Sequence, residues 1–170
     1  ASATRVYNGL ALTANGWSID PAHDGFIGAQ GFATAVTTGT ITSVGTADNT
    51  FAYTLSAATK ADNYTIDVTK GKLTITASDA LTVSATDVTK KYDGTAYGVA
   101  ASANVPTGTT VLYSETYSAN PASYTLTTSP KATHVGESKT VYFVATNANY
   151  APAFGNAKVT ITPREITLTA

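Results

Sequence analysis

Lys72-Leu73-Thr74-Ile75-Thr76 alternates polar and apolar side chains, and Lys158-Val159-Thr160-Ile161-Thr162 does the same 86 residues later. A period of two is the mark of a strand with one face buried. That the pattern occurs twice is as informative as the pattern itself. Upstream, Thr4-Arg5-Val6-Tyr7-Asn8-Gly9 matches Thr89-Lys90-Lys91-Tyr92-Asp93-Gly94 at an offset of 85, and Ala11 meets Ala96 at the same offset. Asn63-Tyr64 matches Asn149-Tyr150 at 86, and Leu81-Thr82-Val83-Ser84-Ala85 matches Ile166-Thr167-Leu168-Thr169-Ala170 at 85. Order, spacing and chemistry agree at both ends of a unit that fits twice into 170 residues. The middles differ: Val44-Gly45 and Val135-Gly136 stand 91 apart, drift of the kind that loops absorb.

Other runs alternate in the same way. Phe51-Ala52-Tyr53-Thr54-Leu55 and Glu165 to Thr169 read as strands, with Thr40 to Val44, Val111 to Tyr113, Tyr124 to Leu126 and Thr140 to Thr146 as further candidates. Gly, Asn and Pro fall between them, as turns require. Ser56 to Asp62 is too short and too poor in large apolar residues for a helix, and reads as a loop or single turn. Asn15 to Phe32 is the least regular stretch and holds the single Trp. The expected fold is all-β: two tandem modules, each a small β-sandwich or β-grasp-like sheet, joined end to end as an elongated rod. The divisions fall at residues 1–78, 79–163 and 164–170, the last being a strand equivalent to the start of a further module. A window that opens and closes out of phase with the repeat points to a piece of an array, as does the lack of Met.

Composition narrows the function. With no Cys, disulfide frameworks and thiol chemistry are excluded. Charged residues are 12%, about half the usual share, and the net charge of −1 gives no basic footprint for nucleic acid or anionic membrane. No apolar run reaches the roughly 18 residues of a membrane span. About one residue in five is Thr, which suits strands that face water.

Residues that could carry chemistry are few. His23 and His134 are the only His and occupy non-equivalent positions. No nucleophile elbow, P-loop, zinc-protease motif or dinucleotide fingerprint occurs, so no enzymatic activity and no cofactor are expected. Asp20, His23 and Asp24 form the one cluster with metal-ligand chemistry, and it reads better as a polar loop around Pro21. Trp17, after Gly16, either plugs a small core or stacks on a sugar. Tyr97, Tyr113 and Tyr117 could form an aromatic surface in the second module. Tyr7, Tyr64, Tyr92 and Tyr150 recur at equivalent positions, where packing explains them. Asn8-Gly9 and Asp93-Gly94 are turn signals, because both positions tolerate positive φ. Lys72 and Lys158 fall on the solvent side of their strands, which counts against a Lys–Asn isopeptide cross-link, since that chemistry needs a buried Lys.

Thr89-Lys-Lys-Tyr-Asp-Gly-Thr-Ala96, Asn149-Tyr150 and Val159-Thr-Ile-Thr-Pro-Arg164 resemble the YDG/MBG repeats, the mucin-binding-protein-associated modules of large bacterial surface proteins. Val6-Tyr-Asn-Gly-Leu-Ala-Leu-Thr13, Asp48 to Leu55 and Lys60-Ala-Asp-Asn-Tyr64 carry the likeness into the first module. Asn8 departs from the preferred Asp; it keeps the turn and loses the charge, so no metal or catalytic role attaches to that carboxylate. The resemblance implies a non-catalytic stalk or spacer pair from a surface adhesin, extracellular and monomeric. Its partners would be neighbouring repeats of the same chain. The alternative it implies is a module that binds host glycan or mucin.

Overall fold

The computed structural model describes residues 1–170. The chain is built almost wholly of strands, with three single-turn 3-10 helices and no helix long and apolar enough to cross a membrane. It divides into two compact units, Ala1–Ala77 and Ser78–Ala170.

In the first unit, β1 (Ala3–Val6) lies parallel to β5 (Gly71–Thr76), and β5 pairs on its other side, antiparallel, with β3 (Gly45–Asn49). A second, two-stranded sheet joins β2 (Phe32–Thr37) to β4 (Phe51–Leu55). The alternation in Lys72–Thr76 does what a period of two dictates: Leu73 and Ile75 are fully buried, and Lys72 and Thr76 face solvent. Leu12, Ala3, Tyr7, Ile41 and Val44 complete a small core.

The second unit repeats this plan and extends it. After β6 (Val83–Ser84), β7 (Val88–Lys91) runs parallel to the end of β11 (Tyr150–Thr162), with Val88 opposite Val159 as Ala3 is opposite Leu73. β10 (Lys139–Asn147) pairs antiparallel with β11 on one side and with β9 (Thr110–Ser114) on the other, giving the order β7-β11-β10-β9. β6 pairs separately with β8 (Ser102–Ala103). Val141, Phe143, Val159 and Ile161 are buried at 2% exposure or less, in a larger core than the first unit has.

The repeated motif is a repeated backbone device. Asn8 Oδ1 accepts from Leu10 N at 3.1 Å, and Asp93 Oδ1 accepts from Thr95 N at 2.9 Å. Each is a turn closed by its own side chain, followed by a Gly at positive φ, 79° at Gly9 and 82° at Gly94. Bridges Leu12↔Ile41 and Tyr97↔Ala132 are equivalent too.

Three expected strands are not strands. Thr40 to Val44 contributes only the Leu12↔Ile41 bridge, because its partner segment is itself irregular. Tyr124 to Leu126 contributes only Tyr113↔Leu126; Pro121–Ser123 turns there as a 3-10 helix capped by Asn120. Glu165 to Thr169 pairs with nothing in the chain. Pro163 has no N–H to extend the ladder past Thr162, and Ile166 and Leu168 stand 81% and 91% exposed.

Candidate functional site: an aromatic groove in the first unit

The irregular stretch before β2 folds across the β2–β4 sheet and brings a set of aromatic rings together. Trp17 meets Phe32 edge-on at 5.4 Å between centroids and Phe51 at 5.7 Å. Phe26 meets Phe32 at 4.9 Å and Tyr64 at 4.9 Å, and Tyr53 closes on Phe32 at 5.0 Å. These are the offset and edge geometries that the ring quadrupole favours. Polar tips are satisfied: Trp17 Nε1 donates to Ala35 O at 2.9 Å, and the Tyr64 hydroxyl donates to Gln30 Oε1 at 2.7 Å and accepts from Ile27 N at 3.2 Å.

Beside this cluster lies a groove of about 820 Å³. Trp17, Phe26 and Phe51 supply its apolar wall; Asp20, Asp24 and Asp67 bring carboxylates to it, and no Lys or Arg lines it. Trp17 is 45% exposed, so the indole is anchored yet still offers surface. The floor is set by Asn49, which is buried. Its Nδ2 donates to Ala1 O and Ala14 O, both at 2.8 Å, and its Oδ1 accepts from Gly39 N at 3.2 Å. One amide thus ties three loop segments to the end of β3.

The Asp20, His23 and Asp24 side chains are only loosely gathered. His23 Nδ1 lies 3.4 Å from Asp20 Oδ2, with both side chains mostly exposed, and Asp20 Oδ1 is taken by Ala22 N. No group of three His or carboxylate side chains is placed to share a cation. Tyr97, Tyr113 and Tyr117 do not form one aromatic surface. Tyr113 is buried against Phe143, with its hydroxyl accepting from Ala101 N at 3.1 Å. Tyr117 lies on the outside against Tyr142. Tyr97 donates to Asp93 Oδ2 at 2.5 Å, with Lys90 Nζ 5.5 Å from its ring centroid. That bond, then the Thr95 N–H, holds the Asp93 carboxyl below the usual range, and the same bond pushes the Tyr97 phenol up.

The motif tyrosines have individual surroundings. Tyr7 packs on the first core, Tyr64 joins the aromatic cluster, Tyr92 stacks on His134 at 5.7 Å, and Tyr150 opens β11. Lys72 is exposed and pairs with Asp48 at 2.5 Å, Lys158 is exposed, and no Lys in the chain is buried.

Sequence reasoning singled out Trp17 but missed Phe26, Phe32, Phe51 and Tyr53. A signal was present: four of the chain's six Phe and Trp residues fall between positions 17 and 51. The chain matches no protein-family model and no curated protein.

Proposed function

We propose that the chain is a pair of non-catalytic stalk repeats of the YDG/MBG type from a bacterial surface adhesin, holding a binding region away from the cell. One observation carries this reading: in each unit the first long strand and the last are parallel neighbours, β1 with β5 and β7 with β11. A pull on the two ends of a unit then drags these strands past each other along their length. Every ladder bond is loaded at once, with Tyr7 N to Thr76 O at 2.8 Å and Tyr92 N to Thr162 O at 2.9 Å extending the two ladders. Shear of this kind resists force far better than opening bonds one after another, which is the property a stalk needs. Single-molecule pulling through residues 1 and 170 tests it. Two separate high-force events are expected; opening at low force, with no distinct peaks, would sink the reading. As a stalk, the modules would stand end to end as a rod, and small-angle scattering measures that.

The groove favours a second reading, glycan or mucin binding. A half-exposed indole flanked by Asp20, Asp24 and Asp67 offers a stacking face beside hydrogen-bond acceptors for sugar hydroxyls. A glycan array with the wild type and Asp67→Asn separates the readings without disturbing the Trp17 packing.

A further inference from the structure

Asparagine precedes glycine twice in this chain, at Asn8-Gly9 and Asn15-Gly16, and every other Asn precedes a residue with a side chain. The dipeptide has its own chemistry. With no Cβ beside it, a glycine nitrogen can swing onto the Cγ of the preceding carboxamide, and a group held that near acts at a high effective concentration. The two sites share this chemistry, and the fold treats them differently.

Asn8 is tied down. Its Oδ1 accepts from Leu10 N at 3.1 Å, and Leu10 O in turn accepts from Arg5 Nη2 at 2.6 Å. Turning the Asn8 carboxamide toward Gly9 N breaks the first of these bonds. Asn15 has no such tie. It is exposed in the irregular stretch, and neither its carboxamide nor the Gly16 N–H takes part in a hydrogen bond. Gly16 stands at φ 105° with open space where a Cβ would project. Asn15, Gly16 and Trp17 border a recess of about 410 Å³, so water reaches the peptide. The backbone on either side is anchored. Ala14 O accepts from Thr37 Oγ1 at 2.9 Å and from Asn49 Nδ2 at 2.8 Å, and Trp17 Nε1 donates to Ala35 O at 2.9 Å. Both ends of the Asn15-Gly16 link are thereby fastened to β2, and the link itself is loose.

We infer that Asn15-Gly16 is a site of spontaneous deamidation, with water as the only co-reactant, and that the change loosens Trp17 from its anchor. The Gly16 nitrogen gives its proton to hydroxide and bonds to Asn15 Cγ. The tetrahedral centre collapses with loss of Nδ2, which takes up a proton from water and leaves as ammonia. The product is a cyclic succinimide, and water then adds to one of its two carbonyls. Breaking the bond from Gly16 N to Cγ gives aspartate. Breaking the bond from Gly16 N to the main-chain carbonyl carbon gives isoaspartate. Either way the carboxamide NH has been exchanged for O. In isoaspartate the main chain runs through Cβ and Cγ and is one methylene longer. With Ala14 and Trp17 both held to β2, the added length bows the link outward and pulls on the Trp17 bond to Ala35. The new carboxylate also joins Asp20, Asp24 and Asp67 near the indole. None of this rests on the stalk role or on glycan binding, since the reaction needs only this chain and water.

Ageing the full chain at mildly alkaline pH, followed by intact mass and peptide mapping, tests the inference. Conversion should appear first at residue 15, at a rate proportional to hydroxide, with aspartate and isoaspartate both present. Residue 8 should lag about two- to tenfold, as expected for the one hydrogen bond it must give up. In urea strong enough to unfold the chain the two rates should converge, because the dipeptides are the same. Asn15→Gln should abolish the early mass change and leave the slower one at residue 8. Trp17 is the only indole, and its emission should move to the red as isoaspartate accumulates. Asn15→Asp, which adds the charge without the methylene, should move it less. A folded chain in which residue 8 keeps pace with residue 15 overturns the inference. So does a residue 15 that stays asparagine after the unfolded chain has converted. Trp17 emission that is unchanged by conversion, or that Asn15→Asp shifts as far, overturns the loosening of the indole.

Discussion

Phe143 and Gly155 stand opposite each other in the β10–β11 ladder, and the ring lies directly over the glycine. A Cβ added at Gly155 would sit 2.4 Å from Phe143 Cε2, closer than any real contact allows. Phe143 is fully buried and meets Tyr113 edge-on at 6.2 Å. Phe143→Ala should cost about 3–5 kcal/mol for the lost transfer energy and the cavity. A unit of this size holds only about 5–15 kcal/mol in all, and each kcal/mol moves its melting point by about 4–8 °C. Phe143→Ala should therefore lower the melting point of the second unit by at least about 12 °C. Gly155→Ala alone should cost about 1–3 kcal/mol through overpacking. With Phe143→Leu in place, the flat ring is gone and Gly155→Ala should cost less, a coupling of about 1 kcal/mol. Urea unfolding followed by circular dichroism measures all four corners of this cycle. Trp17 emission, which reports the first unit, serves as the internal reference. A Phe143→Ala cost under about 1 kcal/mol, or equal Gly155→Ala costs in the two backgrounds, would refute the packing argument.

Three further outcomes are expected. Asn49→Leu keeps the branched outline but strands Gly39 N–H and two carbonyls, so the Trp17 unfolding transition should lose about 2–4 kcal/mol, read by urea titration. Gly94→Ala forces an L side chain to φ 82°, and should destabilise the second unit by about 1–2 kcal/mol in spite of open space around the site, as measured by calorimetry. Asp93 and Glu137 are held below the usual carboxylate range, by the Tyr97 hydroxyl and by the Thr133 N–H respectively. A depressed folded value means their stabilisation is complete above the unfolded value of about 3.9–4.3 and is lost as pH falls through the lower folded value; Asp93→Asn with Glu137→Gln should flatten an acid-unfolding curve there.

The strand class was legible because Thr-rich alternation leaves little else to build, and the period of 85 was legible because turn chemistry is local. Asn8-Gly9 and Asp93-Gly94 fold as their side chains dictate. Even the Asn-for-Asp difference has a local cause. The second unit has Tyr97 to donate to the other carboxylate oxygen, whereas the matching position in the first unit is Leu12, which needs no acceptor. What could not be read was partnership. Alternation makes Glu165 to Thr169 a strand, yet a strand needs an edge to join, and nothing in one segment says whether its partner is present. The groove was hidden for the same reason: Trp17, Phe26 and Phe51 are far apart in the chain, and only the fold of the irregular stretch gathers them.

Why the first unit has a groove where the second has a continuous sheet follows from register. Ala47 faces Leu73 as Lys139 faces Val159, so β3 and β10 align at an offset of 92, and Asn49 stands at the place of Val141 and Phe51 at that of Phe143. On the partner strand the offset is 86, so Gly155 corresponds to Thr69 and Ala153 to Asp67. To close the same ladder, the first unit would have to lay the Phe51 ring over Thr69, where the second has a glycine because nothing larger fits. It would also have to set Asp67 opposite Tyr53, where the second pairs Ala153 with Ala145. Both demands fail on sterics and on the cost of burying a carboxylate. Residues 64–70 therefore leave the ladder, Asn49 spends its amide on loop backbone, and Phe51 turns to the aromatic cluster. The groove is thus written in Asn49, Asp67 and Thr69, three polar substitutions on an otherwise shared plan. Asp67→Ala with Thr69→Gly should begin to close it, drawing residues 64–70 back toward β4.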